Sequence, residues 1–463
     1  MWWLVSTAAA MELSYDDAVK RAMERNPALV GEQYDLESAQ GQLMGSRGVF
    51  DPVLAGSAQY EHGTGFLDET TLLPYDGAET TYMASLYQLF PTGTQATLAW
   101  DAVRTEITGG VGENLNPWDS EVSLSIVQPL LKGVTTYYNL APVRQAKRYV
   151  DLQDAFLAQQ RAQTVADTAT AYWGLYYRRR AAEIAQAAID VSTEEQRVVH
   201  ARVDAGDLAP VERSRVDALV VQAQSAFVTR QNDAQASNDQ LLLVIGEPLG
   251  DTVQLTTEPS SIPETALDES AVVAEALANN PEVAASRINE ESAALDLRDA
   301  KHARLPQLNA NGSYGFRAQN QEEFSGASQS IVNGDLPFWS LGADVTFPLL
   351  DRAERGAYGD KSAVAAKARI EREAIERSID QQVRAQVRVL SSANLSVTLA
   401  EANLRFAEET LASQRALQNA GRAIQKDVLE SIRDVDDARV ELVKAHADAA
   451  IALVELNRLK GSL

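Results

Sequence analysis

Two periods of hydrophobic spacing alternate along this chain. In its last forty or so residues, Val435, Ala438, Leu442, Ala445, Ala449, Ala452, Leu456 and Leu459 step by three and four without a break. That is a heptad rhythm, and the small side chains in it imply close helix approach. Such stretches are very long. Roughly 70 residues separate Leu131 from Gly206, and about the same separate Leu350 from Gly421, so each helix could span on the order of 100 Å at 1.5 Å per residue. At "DAGDLAPVE" and "NAGRAIQKDVLE" the chain turns, and a second long helix returns to "VIGEPLG" or "RLKGSL".

Upstream of each long helix the period changes to two. "PVLAGSAQYEH" and "PQLNANGSYGF" alternate small or polar residues with aromatics, as strands do. "YMASLYQLF", "TQATLAWDA" and "SEVSLSIVQ" follow the first of these, and "WSLGADVTF" follows the second. About four strands are expected in the first insert, with "FPTGTQ" as a tight turn, and two in the second. Each region closes on a similar signature, "QPLLKG" or "FPLLDR", carrying Pro129 or Pro348.

Before each strand region stand two shorter helices. Ser14 and Asp268 are the expected N-caps, Ser14 with Asp17 three residues on as an acidic variant of the capping box. Asn26-Pro27 and Asn280-Pro281 are the joints, the asparagine capping the next helix and the proline taking its first position. An ordinary helix break would explain either joint alone; the recurrence is what makes them diagnostic. Leu13, Val19, Ala22, Asn26, Pro27, Glu37, Ser38, Ala39, Leu43, Pro52, Leu54 and Tyr60 recur without a gap 254 residues later, Pro52 as Pro306 among them. The turning glycines Gly206 and Gly421 are 215 apart, as are Gly246 and Gly461, so the first strand insert is longer by 39, the difference of the two offsets. One structural unit is used twice.

The organisation expected is a signal remnant or scar at 1–12; first-repeat short helices at 13–51; a first β-insert at 52–130; a first long helix pair at 131–250; a linker at 251–266; second-repeat short helices at 267–305; a second β-insert at 306–349; and a second long helix pair at 350–463. A plain helical rod has no use for β-inserts at equivalent places. So few strands cannot bury both sheet edges in one chain, and in a membrane an open edge is not tolerated. Closure of a barrel through several copies is the natural solution.

Composition narrows the function. Among 463 residues the formal net charge is -24, which argues against nucleic acid as a partner. There is no cysteine, which excludes disulfides, thiolate metal sites, cysteine nucleophiles and lipidation on an N-terminal cysteine. His62, His200, His302 and His446 are scattered, and no run of apolar residues is long enough for a transmembrane helix. No P-loop, HExxH, nucleophile elbow or dinucleotide fingerprint occurs, so neither catalysis nor a cofactor is expected.

With these motifs in order, twice, the chain resembles the TolC family of bacterial outer-membrane efflux proteins from Leu13 to about Gly461. The resemblance implies an α+β membrane protein: a homotrimer whose strands share a β-barrel, four from each copy, above a long periplasmic tunnel of coiled-coil helices; the longer first insert departs from that pattern, as either an extracellular hairpin or extra barrel strands. The short helices would form a belt around the tunnel and the linker would lie at its equator. It implies residence in the outer membrane of a Gram-negative bacterium, in contact with outer-membrane lipid. It also implies partnership with a periplasmic adaptor (membrane fusion protein) and an inner-membrane transporter, as a passive exit channel for efflux or type I secretion. In the family pattern, acidic residues six and nine positions after the second turning glycine line the periplasmic entrance. Here these are Asp427 and Glu430, one helix face apart by three, which in a trimer would make two carboxylate rings able to hold a divalent cation. A solvated helix face is the plainer reading of the pair. Glu212, six after Gly206, corresponds to a residue of the family's polar gate. Its arginine partner falls on Ala423, with Arg422 one residue before, so the gate links do not carry over intact. Gly206, Leu208, Gly421 and Ile424 mark the turns that would meet an adaptor. Trp100, Trp118, Trp339, Phe90 and Phe338 flank the strands, either as an interfacial girdle or as loop packing, whereas Trp173 is expected in a core. The other reading is a soluble, self-associating coiled-coil scaffold with β-inserts.

Overall fold

The computed structural model describes residues 11–66, 74–108, 116–259, 268–420 and 422–463. The signal remnant except for 11–12, residues 260–266 of the linker, Leu267 and Gly421 lie outside the described residues. In chain order the elements are β1 (Met11–Leu13), α1 (Tyr15–Arg25), α2 (Pro27–Arg47), β2 (Val53–Phe66), β3 (Pro74–Leu89), β4 (Gln95–Thr108), β5 (Trp118–Pro129), α3 (Thr136–Asn139), α4 (Ala141–Asp204) and α5 (Val211–Val244). Then come β6 (Val253–Leu255), α6 (Glu269–Asn279), α7 (Pro281–Ala303), β7 (Gln307–Gln321), α8 (Phe324–Asn333), β8 (Pro337–Thr346), α9 (Arg352–Asn419) and α10 (Gln425–Lys460). Two compact units result, Met1–Glu37 with Leu152–Arg287 and Ile370–Leu463, and Ser38–Asp151 with Ile288–Arg369. Each draws on both halves of the sequence repeat. Among the described residues, no helix is long and apolar enough to cross a membrane.

The first unit is held by two related cores. In one, Ala18 and Ala22 of α1 pack with Tyr172 and Leu175 of α4 and Leu241 of α5. In the other, Val273 and Ala276 of α6 pack with Val387 and Leu390 of α9 and Leu456 of α10. Leu175 and Leu390, like Leu241 and Leu456, are 215 apart, the offset of the turning glycines. The first core also carries a parallel pair, β1 with β6. Tyr172 pins it: the buried phenol donates to the Leu13 carbonyl and accepts from the Thr257 amide, both at 3.1 Å. Trp173 is buried there, its ring stacked on Tyr15 at 5.5 Å, and the same burial, with the Asp16 charge adding to it, pushes the Tyr15 phenol up to about 12.

Each short-helix joint is capped as its asparagine demands. The Asn26 side-chain oxygen accepts from the Ala28 and Leu29 amides at 3.0 and 3.2 Å, and that of Asn280 accepts from Glu282 and Val283 at 2.9 and 3.4 Å. Pro27 and Pro281 open the following helices, where a missing N–H costs nothing.

The second unit is built on one antiparallel sheet, in the order β2-β3-β4-β5-β7-β8. Pro52 and Pro306 immediately precede β2 and β7, and Pro129 ends β5, while Pro348 lies two residues past β8. A proline cannot donate to a ladder, so it sits where pairing begins or ends. The segment "FPTGT" closes the β3–β4 hairpin, with the Phe90 amide donating to Thr94 and that of Gly93 to Phe90, both at 2.8 Å. Gly93 has φ +81 there and a Cβ would strike the Gly133 carbonyl, so this turn admits glycine alone.

The strand number corrects the resemblance. Four strands per copy were implied, and the sheet has six, because the longer first insert places both of its hairpins in the same sheet. The second insert holds the two strands expected, β7 and β8, and a helix besides. Helix α8 interrupts it, ending on Gly334 in the left-handed region at φ +74.

Candidate functional site

Strand register divides the sheet into two unlike faces. Leu54, Leu86, Leu98, Leu124, Tyr314 and Trp339 stand opposite one another in an unbroken row across all six strands. Side chains alternate along a strand, so Trp100, Val122, Phe316 and Leu341 share this face. The row itself is exposed, Leu54 being 78% and Trp339 75% accessible, while Trp100, Val122 and Phe316 are half-buried. On the other face Thr97, Ser125, Ser313 and Ser340 form a polar row, and the Ser313 and Ser340 hydroxyls bond at 2.7 Å. Farther along, Asp101, Glu121 and Arg317 align, with Arg317 on Glu121 at 2.9 Å. One apolar and one polar face, alternating residue by residue, is the division a barrel needs between lipid and aqueous lumen.

The aromatic residues divide in the same way. Trp339 lies open on the apolar face. Trp100 and Trp118 belong to that face too, but Phe324 of α8 covers them, with ring centroids at 6.3 and 5.0 Å. Phe338 is on the polar face, under the Arg317 guanidinium at 3.9 Å. Phe90 sits in the β3–β4 turn. The sequence signal for α8 was present in Phe324, Ala327 and Ile331 at helical spacing followed by Gly334, though a strand-dominated region hides so short a run.

The helix turns of the first unit differ in charge. Between α4 and α5, Gly206 adopts φ +82 with open space around it, its amide donating to Val203 and that of Asp207 to Arg202 at 3.0 and 2.9 Å. Leu208 is half-buried. Glu212 is bound on its own helix by Arg215 at 2.6 Å and is only 14% accessible. At the corresponding turn the Arg422 amide donates to the Leu417 carbonyl at 2.8 Å, and Ile424, the N-cap of α10, is exposed. Asp427 and Glu430 occupy the places of Glu212 and Arg215. An acid–base pair in the first half is therefore two acids in the second. Glu430 is held by Lys426 at 3.2 Å, with both side chains more than half exposed. Among the described residues Asp427 joins no ion pair, and its amide donates to the Ile424 carbonyl at 3.1 Å. Glu212 and Arg422 are not brought together within the chain.

One residue of the turn was missed by sequence reasoning. Gln425 is buried at the start of α10 and bridges three helices, donating to Glu195 of α4 and accepting from Gln418 of α9. Nothing local distinguishes it from a solvated glutamine. Farther along α10, burial, with the Asp437 charge adding and Arg439 opposing, raises the Asp436 carboxyl above its ordinary range. Among the described residues, no group of three or more His, Cys, Asp or Glu is placed to hold a metal ion.

Comparison with known proteins points one way. The outer membrane efflux protein family model matches residues 272–462. The outer membrane efflux protein BepC of Brucella suis is 22% identical over 374 residues, covering 79% of each chain. The outer membrane protein TolC of Vibrio cholerae is 22% identical over 237 residues, 51% of this chain and 53% of that one. Among solved structures, the Campylobacter jejuni CmeC outer membrane channel superposes with a TM-score of 0.71 at 14% identity, covering 97% of this chain and 85% of that one. Family model, named relatives and shared fold agree: the chain is similar to the outer membrane efflux proteins and has the fold of the TolC-like outer-membrane channels.

Proposed function

We propose that the protein is a passive outer-membrane exit channel of a Gram-negative bacterium, serving a tripartite efflux or type I secretion system. Three copies share one barrel, their long helix pairs line a periplasmic tunnel, and an inner-membrane transporter and a periplasmic adaptor supply energy and docking. The observation that supports this reading most is the two-faced sheet. An exposed apolar row six strands wide suits lipid contact, and it disfavours a soluble scaffold, in which so large a patch would aggregate. Members of the family are channels rather than enzymes, and conduction needs no catalytic group.

In this reading Asp427 and Glu430 ring the periplasmic entrance. Three copies set six carboxylates around one axis, a field that favours cations and can hold a divalent ion. Lys426 partly offsets Glu430, which leaves Asp427 as the stronger ligand. Exposed Ile424 and half-buried Leu208, at the turns before α10 and before α5, offer an apolar tip to the adaptor. A polar link between Glu212 and Arg422 would have to form between neighbouring copies.

Single-channel recording of the detergent-purified protein in planar bilayers tests the reading. Cation-preferring conductance is expected. Failure to insert and conduct, in protein that remains folded, would remove the channel and leave the scaffold.

A further inference from the structure

We propose that the membrane barrel is closed by eighteen strands, six from each of three copies, with β8 of one copy pairing antiparallel to β2 of the next. The inference rests on the trimer proposed above and replaces the four strands per copy that the resemblance implied.

The geometry begins with the two edges. β2 is 14 residues long and β8 is 10, and each has one neighbour in the sheet. Neither is blunted by lysine or by an internal proline: β2 has neither, β8 has a proline only as its first residue, and the carboxylates Glu61 and Asp344 lie on the polar face rather than the apolar one. Both present apolar side chains to the solvent at the very edge, Leu54 and Tyr60 on β2 and Trp339, Leu341 and Val345 on β8. A hydrocarbon environment tolerates neither edge open.

Six strands are too few to close on themselves, since single-chain membrane barrels start at about eight. The occupant of each edge is therefore the other edge of a second copy. Parity permits it. All five pairings in the sheet are antiparallel, so with an even number of strands β2 and β8 run in opposite directions, and a head-to-tail ring continues the alternation through every seam. The faces permit it as well. The apolar row runs from Leu54 on one edge strand to Trp339 on the other, and the polar row reaches Ser340 on β8. Joined edge to edge, lipid face meets lipid face and lumen face meets lumen face.

The first hairpin is integral to this sheet. β2 and β3 pair over their full lengths, and β3 pairs with β4 from Asp76 to Leu89. A twelve-stranded ring would require β2 and β3 to peel away so that β4 could meet β8 of the next copy, exposing the backbone of both. Barrel diameter grows roughly linearly with strand number, so eighteen strands give a lumen about 1.5 times as wide as twelve. This wider outlet suits bulky cargo.

The absence of native cysteine makes the seam directly testable. Ser340→Cys in β8 is combined, one at a time, with Ala55→Cys, Ser57→Cys or Gln59→Cys in β2, or with Thr97→Cys, Ala99→Cys or Asp101→Cys in β4, all on the polar face. Full-length protein is extracted from outer membranes, its mass in detergent is measured, and it is oxidised with copper–phenanthroline and run on non-reducing gels. At least one β2 combination should give cross-linked dimers and trimers, and no β4 combination should. A ladder from β4, or a trimeric particle without a ladder from any β2 combination, overturns the eighteen-stranded barrel and leaves the trimer standing. A particle of one-chain mass overturns the trimer itself and the assembly proposed for the channel.

Discussion

The Asn26 carboxamide reaches from the α1–α2 joint to the carbonyl of Val244 at the end of α5, donating at 2.9 Å. Its counterpart Asn280 does the same to Leu459 at the end of α10, at 3.0 Å. One side chain thus caps the next helix with its oxygen and satisfies an orphan carbonyl of another helix with its nitrogen. Neither aspartate nor serine can do both. Asn280→Asp should cost about 1–3 kcal/mol, because a carboxylate then faces a carbonyl in a buried site. Asn280→Ser, which keeps the cap, should cost about 1 kcal/mol. Unfolding in detergent followed by helical circular dichroism would show the order; equal losses from both would mean that the lost donor alone matters and the carboxylate adds no repulsion, and no loss from either would mean that the capping oxygen suffices.

The glycines that end α5 and α10 lie against the same joints. Gly246 and Gly461 both have φ +70, and a Cβ on either would fall on backbone, that of Arg25 or that of Asn279. Gly206 has φ +82 but nothing near it. Gly206→Ala should therefore cost only the left-handed conformation, about 1–2 kcal/mol, while Gly246→Ala and Gly461→Ala should cost about 3 kcal/mol or more, since neighbouring backbone must move as well. Thermal midpoints of the three variants check the ranking.

On the sheet, Leu98 and Thr97 are consecutive residues with opposite fates. Leu98→Arg should destabilise the protein in bilayers by about 2–4 kcal/mol if its face meets lipid, and Thr97→Arg by far less. Folded fraction after urea titration in lipid vesicles reads the difference. Equal tolerance of both would contradict the assignment of faces.

If Asp427 and Glu430 ring the entrance as proposed, Asp427→Asn should weaken divalent-cation block more than Glu430→Gln does, because Lys426 already pairs with Glu430. Block by added divalent cation in planar bilayers measures this, and the double variant should lose it. Unchanged block in the double variant would place the cation elsewhere.

Asp436 gives a pH signature. Burial raises its carboxyl in the folded chain above the ordinary value of 3.8, with Asp437 adding to the effect and Arg439 opposing it. The folded state then holds the proton more tightly than the unfolded state. Its favourable contribution is full below the unfolded pKa and is lost as pH rises through the folded one. Asp436→Asn should raise the melting temperature at neutral pH, and the gain should shrink toward acid. A gain independent of pH would trace it to packing.

Much of this molecule is encoded locally. The Asn-Pro joints, the prolines at strand starts, the turning glycines and the heptads of α10 act through dihedral limits, missing donors and side-chain period. These are properties of a few adjacent residues, so the sequence by itself determined the duplicated plan and the alternation of strand insert and long helix. Asp427 and Glu430 were singled out by their spacing from Gly421 and the family resemblance, and their place at an entrance is a proposal. What depends on residues far apart in the chain was not legible. Only the tertiary structure decided that both hairpins of the first insert join one six-stranded sheet, because register is settled by pairing across the sheet. It alone showed Asn26 satisfying Val244, Tyr172 pinning β1 to β6, and Gln425 linking three helices, since a buried polar group is defined by its partners. The same holds for the charge at the two turns: Glu212 is quiet because Arg215 neutralises it, and Asp427 is not, for want of an arginine three residues on.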